Sequence, residues 1–123
     1  MGDAGSRILL VDDEVMLIEA LQMLLRRRRP DWAIRLAAGS AEALDALADE
    51  PADVVVTDLG MPGMDGAALL QHVSESHPRT GRVLLSGLSA AEMQARGAIA
   101  HVRVQKPCDT AKLCAAIEQA LAA

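Results

Sequence analysis

Short apolar runs that each stop at a charged residue set the tightest limit on how this chain can fold. Val54-Val55-Val56-Thr57 stops at Asp58, Ile8-Leu9-Leu10-Val11 stops at Asp12-Asp13, and Val102-Arg103-Val104-Gln105 stops at Lys106-Pro107. The first run is β-branched throughout, as suits a central strand covered on both faces. Helical patterns separate the strand-like runs. Leu17, Ile18, Leu21, Leu24 and Leu25 recur at helical spacing and predict a helix from Glu14 to Arg29. A weaker strand follows at Ala33 to Ala37. Ser40 is placed to cap a second helix running to Asp49, which Pro51 helps to end. Beyond the strand at 53–57, Asp65 caps a third helix through Ser76, and Arg82 to Leu85 read as a fourth strand. Ser89 with Glu92 fits a capping box opening a short fourth helix near Ala90 to Arg96. Residues 101–105 form the fifth strand, and Asp109 caps a last helix to about Leu121.

Five βα units in 123 residues predict one α/β domain: a doubly wound (βα)5 parallel sheet with helices on both faces. Ligands in such sheets bind beyond the carboxyl ends of the strands. Asp12, Asp13, Asp58, Ser86 and Lys106 all fall there. Three neighbouring carboxylates repel one another unless a cation joins them. An oxygen-only donor set in a partly open site suits Mg²⁺, and one carboxylate is then placed to attack phosphorus.

Composition removes other classes. Apolar residues make up 51% of the chain, so it is globular rather than disordered. No apolar run approaches the roughly 20 residues needed to span a bilayer, and Met1 to Arg7 lacks the apolar segment of a secretion signal. Both point to the cytoplasm and away from a membrane partner. A net charge of −5 argues against a nucleic-acid surface. There is no Phe or Tyr, and Trp32 stands alone, so aromatic stacking sites lose weight. Cys108 and Cys114 are too few and too close for a disulfide framework and read as buried thiols. Residues 1–6 read as a flexible tail and 7–123 as the folded domain.

The pieces Leu10-Val11-Asp12-Asp13-Glu14, Thr57-Asp58 with Met61-Pro62-Gly63-Met64-Asp65-Gly66, Leu85-Ser86-Gly87 and Lys106-Pro107 resemble, in order and spacing, the response-regulator receiver family of two-component and phosphorelay signalling. The resemblance covers roughly residues 7–121. It implies a flavodoxin-like sheet of strand order 2-1-3-4-5. It implies Asp58 as phosphoacceptor. Mg²⁺ would be held by Asp13, Asp58 and the Gly60 carbonyl, with Asp12 acting through water. Ser86 would donate to a phosphoryl oxygen, Lys106 would pair with it, and the Lys106–Pro107 bond would be cis. Backbone N–H groups near Leu59 and Gly87 could assist. The implied partners are a sensor histidine kinase or histidine phosphotransfer protein, and a downstream effector domain or protein. The implied output is the face of the fourth helix, fifth strand and fifth helix, which also admits a homodimer.

Blander readings stand beside these. Asp12 could cap the first helix, Asp58 could be a turn residue, and Ser86-Gly87 and Lys106-Pro107 are common loop pairs. Met61 to Gly66 read as structural, with Pro62 and Gly63 shaping the loop. Arg26 to Arg29 read as a solvated helix end whose charge suits the dipole. The chain departs from the family where Arg103 stands at a usually aromatic position and Cys108 at one that is often Phe. Two rivals remain: a receiver-like interaction scaffold that is never phosphorylated, and an Asp-nucleophile phosphohydrolase. The second lacks its customary second Asp, because Gly60 occupies that place, so no independent turnover is expected.

Overall fold

A computed structural model describes residues 5–95 and 99–123. The elements run in strict alternation: β1 (Arg7–Val11), α1 (Val15–Arg28), β2 (Ala33–Ala37), α2 (Ser40–Asp49), β3 (Val54–Asp58), α3 (Gly66–Ser76), β4 (Gly81–Ser86), α4 (Ala90–Ala95), β5 (Val102–Gln105) and α5 (Thr110–Leu121). All strands pair parallel, in the order β2-β1-β3-β4-β5. This is the expected flavodoxin-like arrangement. Arg96 and Gly97, where the fourth helix was expected to end, lie outside the described residues, as do residues 1–4 of the expected tail. Gly5 donates its N–H to the Asp31 carbonyl, and the Ser6 carbonyl accepts from Ala33.

The pleat splits the strands between two cores. Ile8, Leu10, Val54, Val56, Val83 and Leu85 face Ile18 and Leu25 of α1 and Leu113 and Ile117 of α5. Leu9, Val11, Val55 and Leu84 face Leu47, Leu69, Leu70, Val73 and Met93 on the opposite helices. Both faces are covered, so the β3 sequence needs no polar alternation.

Local rules set several helix ends. Asp65 accepts the Ala68 N–H and Asp109 accepts the Lys112 N–H. Ser89 and Glu92 bond each other's backbone N–H reciprocally, as a capping box requires. Ser40 departs from expectation. It is the first residue inside α2, and its hydroxyl donates to the Met64 carbonyl, tying α2 to the loop after β3. Its cap role is lost because a distant carbonyl is the better partner for a buried hydroxyl.

α1 departs more. Ile18 and Leu25 are buried, but Leu17 and Leu24 are 38% and 41% exposed and Met16 is 84% exposed. An apolar stripe wider than the sheet contact leaves its flank in solvent. Arg29 is not a solvated end either. It bonds Asp31 and Glu118 of α5, and its guanidinium lies 4.4 Å from the centre of the Trp32 ring.

Candidate phosphoryl-transfer site at the carboxyl edge

Strand register builds the site. Val11 is level with Thr57, Asp58 with Leu85, and Ser86 with Gln105, so Asp12, Asp58, Ser86 and Lys106 emerge side by side. Carboxylate oxygens of Asp12, Asp13 and Asp58 all lie within 4.8 Å of one another. The Lys106 ammonium sits 2.8 Å from Asp58 Oδ1 and 3.8 Å from Asp12 Oδ2. The Lys106–Pro107 bond is cis. Asp12 is nearly buried, Asp58 half-buried and Asp13 exposed.

Asp12 does not cap α1. The N-cap residue is Glu14, which makes no side-chain cap bond, and Asp12 Oδ1 accepts the Glu14 N–H at 2.9 Å in a tight turn. That bond turns the chain so that Asp13 and Asp12 share one mouth. Burial raises the Asp12 pKa, the Glu14 N–H opposes it, and the charge of Asp58 adds to the rise. Burial alone would depress the Lys106 pKa, but the hydrogen bond to Asp58 and the charges of Asp58 and Asp12 outweigh it and raise it. Three carboxylates against one ammonium leave the cluster short of positive charge, which suits a divalent cation on hard oxygen donors.

Gly60 is exposed, with open space where a Cβ would stand. Ser86 is buried, and its hydroxyl oxygen accepts the Leu88 N–H at 3.1 Å. The Leu59 N–H does not face the site; it donates to the Leu85 carbonyl at 3.0 Å, completing the strand ladder. Its expected assisting role is withdrawn for that reason.

Gly66 was read only as part of a structural loop. A Cβ on it would overlap the Asp58 carbonyl oxygen and press on Leu59 Cα, and its N–H donates to the Leu59 carbonyl. It therefore lets α3 start directly against the backbone that carries Asp58. Glycine after a capping Asp was the only sequence hint.

A hollow of about 440 Å³, lined by Leu17, Leu21, Leu85, Lys106, Pro107 and Cys108, adjoins the Lys106 side of the site. Cys108 is half-buried there, while Cys114 is buried under α5; neither forms a disulfide. Arg103 is half-buried on β5.

The family described as response regulator receiver domain matches residues 8–118. The chain belongs to this family. It is 32% identical over 117 residues to the response regulator protein PilR of Pseudomonas aeruginosa, covering 94% of this receiver and 26% of that protein. It is 30% identical over 122 residues to a protein-glutamate methylesterase/protein-glutamine glutaminase of Rhodospirillum centenum, covering 94% of the chain and 30% of that protein. The chain thus spans about a third or less of these curated relatives. Among solved structures, the signal receiver domain of an HD domain-containing protein from Pseudomonas fluorescens superposes with a TM-score of 0.85 at 31% identity, covering 95% of this chain and 94% of that one. The Thermotoga maritima response regulator TrrA, in complex with Mg²⁺ and BeF, gives 0.83 at 25%, covering 94% and 98%. No helix among the described residues is long and apolar enough to cross a membrane.

Proposed function

We propose that this receiver accepts a phosphoryl group on Asp58 from a phosphohistidine of a sensor histidine kinase or histidine phosphotransfer protein. The observation that carries the reading is the trio of carboxylates with Lys106 bonded to Asp58. An Asp58 carboxylate oxygen attacks phosphorus, a P–O bond forms, and the P–N bond breaks with its electron pair returning to the donor imidazole. Mg²⁺, held by Asp13, Asp58 and the Gly60 carbonyl with Asp12 reaching it through water, would neutralise charge on the transferring group. Lys106 follows the negative charge from the Asp58 carboxylate to a phosphoryl oxygen. Ser86 is one residue past the strand position level with Asp58, and its O–H is the donor for a second oxygen. The Mg²⁺ complex of TrrA supports the reading by analogy. The donor rests against the exposed Val15, Met16 and Leu17, which open α1 one residue beyond Asp13.

The aspartyl phosphate adds roughly −1.5 to −2 charge and three acceptor oxygens. Ser86 and Lys106 are drawn toward them, and the loops after β4 and β5 move with them. The α4-β5-α5 face then changes its affinity for a downstream effector or a second copy. Taking a population from 1:99 to 99:1 needs about 5.5 kcal/mol, a demanding figure for one or two charge-assisted bonds of about 1.5–3 kcal/mol each. Phosphorylation therefore shifts the equilibrium in part, and partner binding completes it.

Incubation with a small phosphodonor and Mg²⁺, followed by intact mass, tests the first step. The expected result is a gain of one phosphoryl group that disappears in Asp58→Asn and on chelation of the metal. An unmodified wild-type mass returns the chain to the scaffold reading.

A further inference from the structure

At the end of the sheet remote from Asp58, Arg82 is the second residue of β4 and is nearly buried. No carboxylate partners it among the described residues. Its Nε donates to the Ile99 carbonyl at 3.0 Å and its Nη1 to the Thr80 carbonyl at 3.3 Å. Its Nη2 lies 3.4 Å from His101 Nε2, while its main-chain N–H donates to His101 Nδ1 at 3.0 Å. The His101 N–H in turn donates to the Arg82 carbonyl. Ile99 and His101 belong to the connection that leads from α4 into β5.

Both ring nitrogens of His101 thus face donors from one arginine. Nδ1 must be unprotonated to accept the Arg82 main-chain N–H, so the neutral ring carries its proton on Nε2 and makes no hydrogen bond with Arg82 Nη2; the bond at Nδ1 is the one that a second proton breaks. A doubly protonated ring would set N–H against N–H at Nδ1 and cation against cation at Nε2, so it is incompatible with this arrangement. We propose that Arg82 and His101 form an acid-released clasp, which holds the α4–β5 connection to the foot of β4 at neutral pH and frees it when His101 takes up a proton.

The surrounding charges agree. Partial burial and then the Arg82 charge hold the His101 pKa below its ordinary value. Arg103, two residues beyond His101, stands on the same side of the chain by strand alternation. On α4, the Glu92 carboxylate is engaged by the Ser89 N–H; Arg96 lies outside the described residues. The clasp supplies an input to the α4-β5-α5 face that needs no phosphoryl group, so it stands whether or not Asp58 is phosphorylated.

Amide exchange on the whole chain, corrected for intrinsic rates, tests this at about pH 7.5 and about pH 5.5. Protection across 99–105 is expected to fall about tenfold in the acid sample, the factor by which an imidazole of pKa 6.5 favours a proton-accepting open state one unit below that value. Peptides from β3 should not change. His101→Gln, which can still accept the Arg82 N–H but does not titrate, should stay protected at both pH values. An acid-insensitive wild type, or a variant that loosens as much as the wild type, overturns the proposal. Should the variant not fold, the wild-type imidazole titration followed by NMR decides: a midpoint below 6.5 supports the clasp and one at or above it refutes it.

Discussion

The two ends of the sheet treat charge in opposite ways. At the carboxyl edge, three carboxylates share one ammonium. At the amino edge, several charged groups are matched or absorbed. Arg7 pairs with Glu50 and Asp53, Arg29 with Asp31 and Glu118, and the Arg82 guanidinium donates to the Ile99 and Thr80 carbonyls. The same strands hold both ends, so the difference lies in side-chain chemistry and not in backbone. The matched end fastens the fold, and the deficient end is left short of positive charge, which suits a cation.

The contrast can be broken most severely at Gly66. Gly66→Ala should force the β3–α3 turn away from Asp58 and cost about 3 kcal/mol, at the upper end of over-packing penalties, read as a lowered urea midpoint together with lost phosphorylation. Next is Asp12→Asn. The raised Asp12 pKa means the folded state favours the protonated acid. That contribution is complete below the ordinary value of 3.8 and is lost as pH rises through the raised one. Removing the charge should therefore raise the metal-free melting temperature by a few degrees at neutral pH, with the gain vanishing in acid. The stabilisation by added Mg²⁺ should shrink at the same time. A metal-free melting temperature that falls would show that the carboxylate is needed for folding rather than for its ligand.

Changes at the matched end should be smaller and leave phosphorylation intact. Arg29→Ala loses the stack on Trp32 and the pair with Glu118, for about 1 kcal/mol in chemical denaturation. Arg7→Ala breaks ion pairs whose partners are about half exposed, for about 0.5 kcal/mol or less. A loss of phosphoacceptance in either variant would erase the distinction between the ends.

Much of this was legible locally. The β-branched run at 54–57, the caps at Asp65 and Asp109 and the Ser89–Glu92 box depend on neighbours in sequence, and they stand where the residues say. The candidate site was legible because strand ends in a parallel sheet meet at one edge. What escaped depends on distant contacts. Periodicity shows that α1 has an apolar face but not how much of it the sheet covers, so Leu17 and Leu24 were misplaced. The Ser40–Met64 bond, the approach of Gly66 to Asp58 and the claim of Leu85 on the Leu59 N–H each join segments whose register only the fold defines.

The solitary indole has a practical consequence. With no tyrosine or phenylalanine elsewhere, near-ultraviolet fluorescence arises at Trp32 alone, buried beneath Arg29 where α1 meets α5. Its emission is a gauge of that seam and has no direct view of the acidic cluster. A spectral response to a phosphodonor would mean that the disturbance had crossed the whole length of the sheet.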